Sequence, residues 1–266
     1  MGRTADSVAR QIRKIAKVRD PPMPLLSTVT SPDKELSEFE RATLEVRLDR
    51  ILMGLTKANK TEQWDRVLIG APRAEWAERI LAFIPTPVGR LLAAPSPPTI
   101  STLRSLEWEN TGKMGVYTWI LTRKIHNPFY PEHYVYVGSA TKYGCGLSGR
   151  KYQHQKGGEG SSFMKHRIQH HGLAKKGHFA ALLSMEVTSS EPNEVVKARQ
   201  LIVIAEAAFT IWLGALTQGR PDAQKERLLL RSLCPWSLEQ ISYCGICSGL
   251  RPFVLFPPFH AEQSAD

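Results

Sequence analysis

The chain has 266 residues, of which 42% are hydrophobic and 23% charged, with a formal net charge of +10 and a pI near 9.6. A chain of this size can bury one good core and carry a smaller second unit, and its ordinary globular composition excludes a wholly disordered or fibrous protein. The positive excess favours a polyanionic partner, nucleic acid first, because each Lys or Arg set against a phosphate releases condensed counterion; a basic surface without a specific ligand is the alternative.

In residues 1–20, Val8, Ile12, Ile15 and Ala16 recur at helical spacing among Arg3, Arg10, Arg13, Lys14, Lys17 and Arg19. Such a basic amphipathic segment reads as a DNA-contacting arm, a mitochondrial presequence or a solvated, flexible tail over residues 1–30; Asp6 and Asp20 count against the presequence. No apolar leader opens the chain, Asp6 stands where a myristoylation signal wants Ser or Thr, and four cysteines are too few for a disulfide framework. An intracellular location is expected, with the nucleus favoured and the mitochondrion left open.

Pro21, Pro22 and Pro24 break the first pattern, and Ser31-Pro32 resembles an N-cap followed by a first helical turn. Leu44, Leu48, Ile51, Leu52 and Leu55 make an apolar stripe, and further stripes run from Trp64 to Ile69 and from Trp76 to Ile84. A helical region over residues 31–98 is expected, closed by the proline-rich linker Pro95 to Pro98. Residues 116–122 and 133–139 are rich in β-branched and aromatic side chains and alternate as half-buried strands do; together they predict a β-hairpin with its loop at Lys124 to Glu132. A helix follows from Leu147 to Gln155, a third strand from Phe179 to Val187, and a long helix from Pro192 to about Leu216. Leu201 to Leu216 is interrupted by Glu206 and falls short of the roughly 20 residues that span a bilayer, so it predicts a buried helix and no membrane partner. The expected fold is α+β: a small antiparallel sheet of about three strands over residues 112–220, flanked by helices, with residues 221–266 as a C-terminal extension.

Several residues in this framework carry chemistry. Tyr117 and Tyr136 lie on paired strands and can project to one face, although strand aromatics are more often plain core. Arg150 and His154 are four apart and stack on one helix face, where a guanidinium can hold a phosphate bidentately; the plain alternative is a solvated face. Glu206 is the one carboxylate in an apolar helix, which is costly for an ionised group unless a metal or hydrogen bonds compensate it; otherwise it points to solvent.

Gly115-Val116-Tyr117 and Tyr136-Val137-Gly138, followed in order by Arg150 and Glu206, resemble the GIY-YIG nuclease family over about residues 114–219. Either tripeptide alone carries no weight; four elements in order do. The Arg150-His154 pair is similar to that of some restriction-enzyme members. The resemblance implies a GIY-YIG-like fold and a DNA endonuclease that hydrolyses phosphodiester bonds with one Mg²⁺ or Mn²⁺. It further implies Glu206 as the metal ligand, Arg150 gripping the scissile phosphate, and Tyr117 orienting or deprotonating water with help from His154 or Tyr136. Such a site requires Tyr117, Tyr136, Arg150, His154 and Glu206 to converge on one concave, electropositive surface, with all five on one side of the sheet.

Lys142, Lys151, Lys156, Lys165, Arg167, Lys175 and Lys176 crowd the segment after the second tripeptide and are the expected DNA-backbone contacts, with RNA left open as the polymer. Gly157, Gly158 and Gly160 mark a flexible loop among them. The sequence departs from the family in its long hairpin loop and in carrying Gln218 near where many members have an asparagine. Cys234, Cys244, Cys247 and His260 offer an incomplete zinc pattern, with buried reduced cysteines as the other reading. Two rivals to the enzyme are a catalytically silent nucleic-acid-binding module and a protein-interaction scaffold built on the N-terminal helices.

Overall fold

The structure is a computed structural model in which residues 35–58, 64, 67–68, 72–156, 162–174, 176–188, 190–217, 224–247 and 250 are described. The basic N-terminal segment, the Ser31-Pro32 cap, the glycines at 157–160, Lys175, Gln218 and His260 lie outside those residues.

The first described helix, α1 (Glu38–Ala58), opens with a capping box. Ser37 Oγ accepts from the Glu40 backbone N–H at 3.2 Å, and the Glu40 carboxylate accepts from the Ser37 N–H at 2.8 Å. Its Leu44, Leu48, Ile51, Leu52 and Leu55 stripe is buried throughout. Helices α2 (Arg73–Ala82) and α3 (Thr86–Ala93) pack against α1, and the Arg47 guanidinium of α1 ties α3 down by donating to the Leu92 and Ala94 carbonyls. A short helix, α4 (Ile100–Arg104), follows the proline-rich linker and was not evident in the sequence.

Strand β1 (Met114–Thr122) then pairs antiparallel with both β2 (His133–Ala140) and β3 (His178–Met185). Between β2 and β3 lie α5 (Gly146–Lys156) and α6 (Ser162–His170); after β3 come α7 (Pro192–Trp212), α8 (Gln224–Ser232) and the two-residue strand β4 (Cys244–Gly245). The fold is α+β, with eight helices among the described residues, but the sheet is four-stranded and mixed, in the order β3-β1-β2-β4. The expectation of about three antiparallel strands missed β4, which runs parallel to β2 at Tyr134 and Val135. Two residues are too few to show any periodicity, and this strand forms only because the C-terminal segment is held there. The Cys247 thiol stands in for further strand pairing, accepting from the Val137 N–H at 3.3 Å and donating to its carbonyl at 3.5 Å.

The α7 helix stops at Trp212, short of the expected Leu216, because Gly214 takes φ +59° and the Ala215 N–H turns back to the Thr210 carbonyl at 2.9 Å. Nearly every α7 residue from Leu201 to Trp212 is buried. That helix covers one face of the sheet, where Val116, Ile120, Val135 and Val137 join its side chains and those of α1 to α3 in one continuous apolar core. The opposite face, formed by Tyr117, Trp119, Leu121 and Tyr134, gathers a second cluster with Leu147, Met164 and Phe179 under α5 and α6. Among the described residues no helix is long and apolar enough to cross a membrane.

Candidate active site

The register of the hairpin decides where its tyrosines go. Tyr117 sits opposite Gly138 and Trp119 opposite Tyr136, so all four positions share one face and the two tyrosine rings stand 6.2 Å apart. Gly138 is needed there. A Cβ at that position would fall 2.6 Å from Tyr117 Oη, so the missing side chain is the space through which the tyrosine hydroxyl passes.

Helix α5 is fixed above this face by its own first turn. The Leu147 N–H donates to the Lys113 carbonyl at 2.9 Å and the Ser148 N–H to the Thr111 carbonyl at 3.0 Å, tying the helix start to the segment that leads into β1. Arg150 and His154, one turn apart, therefore descend onto Tyr117. Tyr117 Oη lies 2.7 Å from His154 Nε2, and Arg150 Nε donates to the same hydroxyl at 3.4 Å. Arg150 Nη1 is braced by Gln153 Oε1 at 3.1 Å.

The electrostatics give this chain of hydrogen bonds a direction. Burial, reinforced by the Arg150 charge, pushes the His154 pKa down to about 4, so its imidazole is neutral at pH 7 and able to accept a proton. Burial raises Tyr117 to about 12 despite the opposing pull of Arg150, and it lifts Tyr136 well above the usual range. Burial alone would lower Arg150, but Tyr117, Tyr136 and Glu206 hold its guanidinium above its ordinary value. The consistent arrangement is Arg150 donating to Tyr117 and Tyr117 donating to Nε2 of a histidine that carries its proton on Nδ1.

Glu206 is placed differently from its expected position. Helix α7 lies on the other face of the sheet, so Glu206 does not look down on Tyr117 from the side of α5. The expectation of one shared side fails because the apolar surface of α7 must be buried against Val116, Ile120, Val135 and Val137. Beside the last residues of β2, α7 sends Arg199 Nε to the Thr141 carbonyl at 3.2 Å and the Glu206 carboxylate to Ser139, which hydrogen-bonds it. Glu206 is half-buried; burial raises its pKa, while Ser139 and the Arg150 charge lower it. Its charge is in turn felt at Arg150, Tyr117 and Tyr136. Four of the five expected residues thus share one cluster, and the fifth couples to it electrostatically from the neighbouring layer.

One carboxylate with a raised pKa, next to a hydroxyl, is a hard oxygen donor whose ionised form a divalent cation would favour. That fits Mg²⁺ or Mn²⁺ held by one protein carboxylate together with substrate phosphate and water. The zinc pattern of Cys234, Cys244, Cys247 and His260 extends beyond the described residues at His260. The Cys234 thiol donates to the Trp212 carbonyl at 3.4 Å, Cys247 is committed to Val137 with burial raising its pKa to about 12, and no three metal-ligating residues gather among the described ones.

The chain was compared with protein families, characterised proteins and solved structures, and none matches it.

The expected DNA-contacting lysines are not equivalent. Lys142, Lys156, Lys165 and Lys176 are exposed, and Arg167 is half-buried. Lys151 Nζ instead lies 4.9 Å over the Trp108 ring and 5.8 Å over Phe179, and burial lowers its pKa. An open cleft of about 660 Å³ runs along the side of α5 that carries Ser148, Lys151, Tyr152 and Gln155, away from Arg150 and His154. Sequence reasoning missed Trp119 and Phe179, which stack at 5.1 Å, with Trp119 lying 4.5 Å from His154; it also missed the braces Gln153 and Ser139. Trp119 was detectable, being two residues from Tyr117 and hence on the same face.

Proposed function

We propose that this chain is a GIY-YIG-type, divalent-metal-dependent endonuclease that hydrolyses phosphodiester bonds in DNA. The observation that carries the reading is the Arg150–Tyr117–His154 hydrogen-bonded chain between one strand and one helix, with the Glu206 carboxylate coupled to Arg150. Chance strand aromatics have no cause to end at a neutral histidine and a guanidinium.

In this reading the N–H groups of Arg150 beyond Nε and Nη1 meet the scissile phosphate and offset the charge that develops in the transition state. A water attacks phosphorus in line with the departing oxygen. Its proton moves to Tyr117 Oη as Tyr117 hands its own proton to His154 Nε2, a new P–O bond forms, and the bond to the leaving oxygen breaks. Neutral His154 is the net acceptor; with a pKa of about 4 it is a weak base on its own, and the negative charge of a bound phosphate would raise it toward the range that general-base catalysis needs. A divalent cation on Glu206 would supply charge stabilisation to the leaving oxygen.

Two observations favour the silent nucleic-acid-binding module instead, the first being that Glu206 reaches out from the α7 side of the sheet and so misses the one-sided convergence that a metal-dependent site requires. The second is that Tyr117 is fully buried, and its hydroxyl is engaged on both sides. The enzyme reading requires the attacking water to reach the Tyr117 hydroxyl when substrate arrives, while Arg150 keeps Nε on that hydroxyl and turns its free N–H groups to the phosphate. Incubating purified protein with supercoiled, branched and single-stranded DNA, in Mg²⁺, Mn²⁺ or chelator, decides between the two: metal-dependent nicks support the enzyme, and intact DNA bound in a salt-sensitive manner supports the module.

A further inference from the structure

The loop between β1 and β2 puts three large apolar side chains into water: Ile125 is 80% exposed, Phe129 78% and Tyr130 56%. The loop is built to hold them there. The Asn127 side chain accepts from the Phe129 N–H at 3.0 Å, the Tyr130 N–H donates to the Asn127 carbonyl at 3.1 Å, and the Arg123 N–H donates to the Glu132 carbonyl at 3.0 Å. From below, the Lys124 N–H donates to the Gly172 carbonyl at 3.0 Å, and the Arg123 guanidinium packs 4.5 Å over the Tyr130 ring. A fixed turn displaying isoleucine and phenylalanine contributes nothing to the core, and this one is ringed with cationic groups.

Arg123 and Lys124 flank the tip, and the adjoining end of α6 brings Arg167; the nearby Glu132 lies 3.7 Å from His133. A rim of cations around an apolar point matches a duplex, whose phosphates meet the rim while the point enters between bases, as apolar wedges do in proteins that kink DNA. We infer that the 123–132 loop is a second DNA-contacting element, in which Ile125 and Phe129 insert at a base step and unstack it. The inference rests on DNA being the substrate. It does not depend on catalysis, since the loop begins at Arg123, six residues from Tyr117, roughly 20 Å at strand rise.

The test uses the full chain in chelator with duplexes carrying 2-aminopurine at successive positions, comparing the native protein with the Ile125→Ser, Phe129→Ser double variant. Native protein should raise the fluorescence at one or two adjacent positions. The variant should lose that rise and bind about tenfold more weakly, the scale of lost base stacking, with an unchanged melting temperature because both side chains face solvent. An undiminished rise and affinity in the variant would overturn the inference. So would metal-dependent cleavage by native protein without any unstacking, which would leave the nuclease reading intact. Unstacking without cleavage in any divalent metal would uphold the wedge and remove the nuclease. Reduced self-association of the variant with an unaltered DNA response would show that the loop meets a second copy of the chain, and would also overturn the wedge.

Discussion

The two faces of the β1–β2 hairpin are built from alternate residues of the same two strands, yet they do opposite things. Val116, Ile120, Val135 and Val137 disappear into the apolar layer under α7, while Tyr117, Trp119 and Tyr136 meet Arg150 and His154 under α5. Both faces gain free energy by burying hydrocarbon, and they part at their polar groups. The second holds a guanidinium and an imidazole in a place that pushes the His154 pKa down to about 4. Period-two alternation keeps the Tyr117, Arg150 and His154 cluster off the α7 side, so on the proposed nuclease reading substitutions on the α7 side should lower melting temperature without the loss of activity that substitutions of Arg150 bring.

Glu206 breaks this division most directly, because it belongs to the apolar layer by its helix and to the polar cluster by its charge. Glu206→Gln is expected to cut metal-dependent DNA cleavage about a thousandfold, the value of several kcal/mol of transition-state stabilisation, while leaving DNA binding in place. Circular dichroism and nicking assays on one preparation check both halves; undiminished nicking would exclude Glu206 as the metal ligand. Arg150→Ala should lower turnover about a hundredfold, as the loss of one charge-stabilising donor does, and Arg150→Lys should restore only part of it, since an ammonium cannot reproduce the guanidinium fork.

The apolar face gives the opposite signature. Ile120→Ala should destabilise the fold by about 2–5 kcal/mol, read from urea denaturation, while activity per folded molecule stays within a few-fold of native. On the polar face, His154 links stability to pH. Its pKa is 6.5 in the unfolded chain and about 4 in the fold, so between those values the unfolded state binds the extra proton. Stability should be complete above about pH 6.5, fall by on the order of a few kcal/mol as pH drops through the window, and level off below about pH 4; His154→Gln should flatten that slope. The smallest effect belongs to the surface. Lys142→Ala and Lys176→Ala should each weaken DNA binding a few-fold and lower the salt slope by about one, the mark of a single phosphate contact.

The hairpin could be read from the sequence because residues 116–122 and 133–139 alternate, and α7 because its apolar run admits only Glu206 as a charge. Arg150 and His154 share a face because four residues make one helical turn. What could not be read was which layer α7 joins. Local periodicity says that a helix is buried and does not say against which side of a sheet, so Glu206 was expected beside α5 and lies with Ser139 in the other layer. Helix α6, short and largely polar with Met164 and Ile168 one turn apart, was equally invisible, as was the depth of Tyr117, which depends on α5 being pinned at Lys113 and Thr111.

The Cys247 thiol lying along Val137 has a further consequence, for solubility. Without residues 244–247, the β2 margin would present open backbone donors and acceptors beside Val135 and Val137, an invitation to another strand. A C-terminal truncation at this point should therefore make the chain self-associate with concentration more than the full-length protein does, even with every residue of the candidate site retained. Residues 244–247 close the seam along which copies of the chain would otherwise stick together.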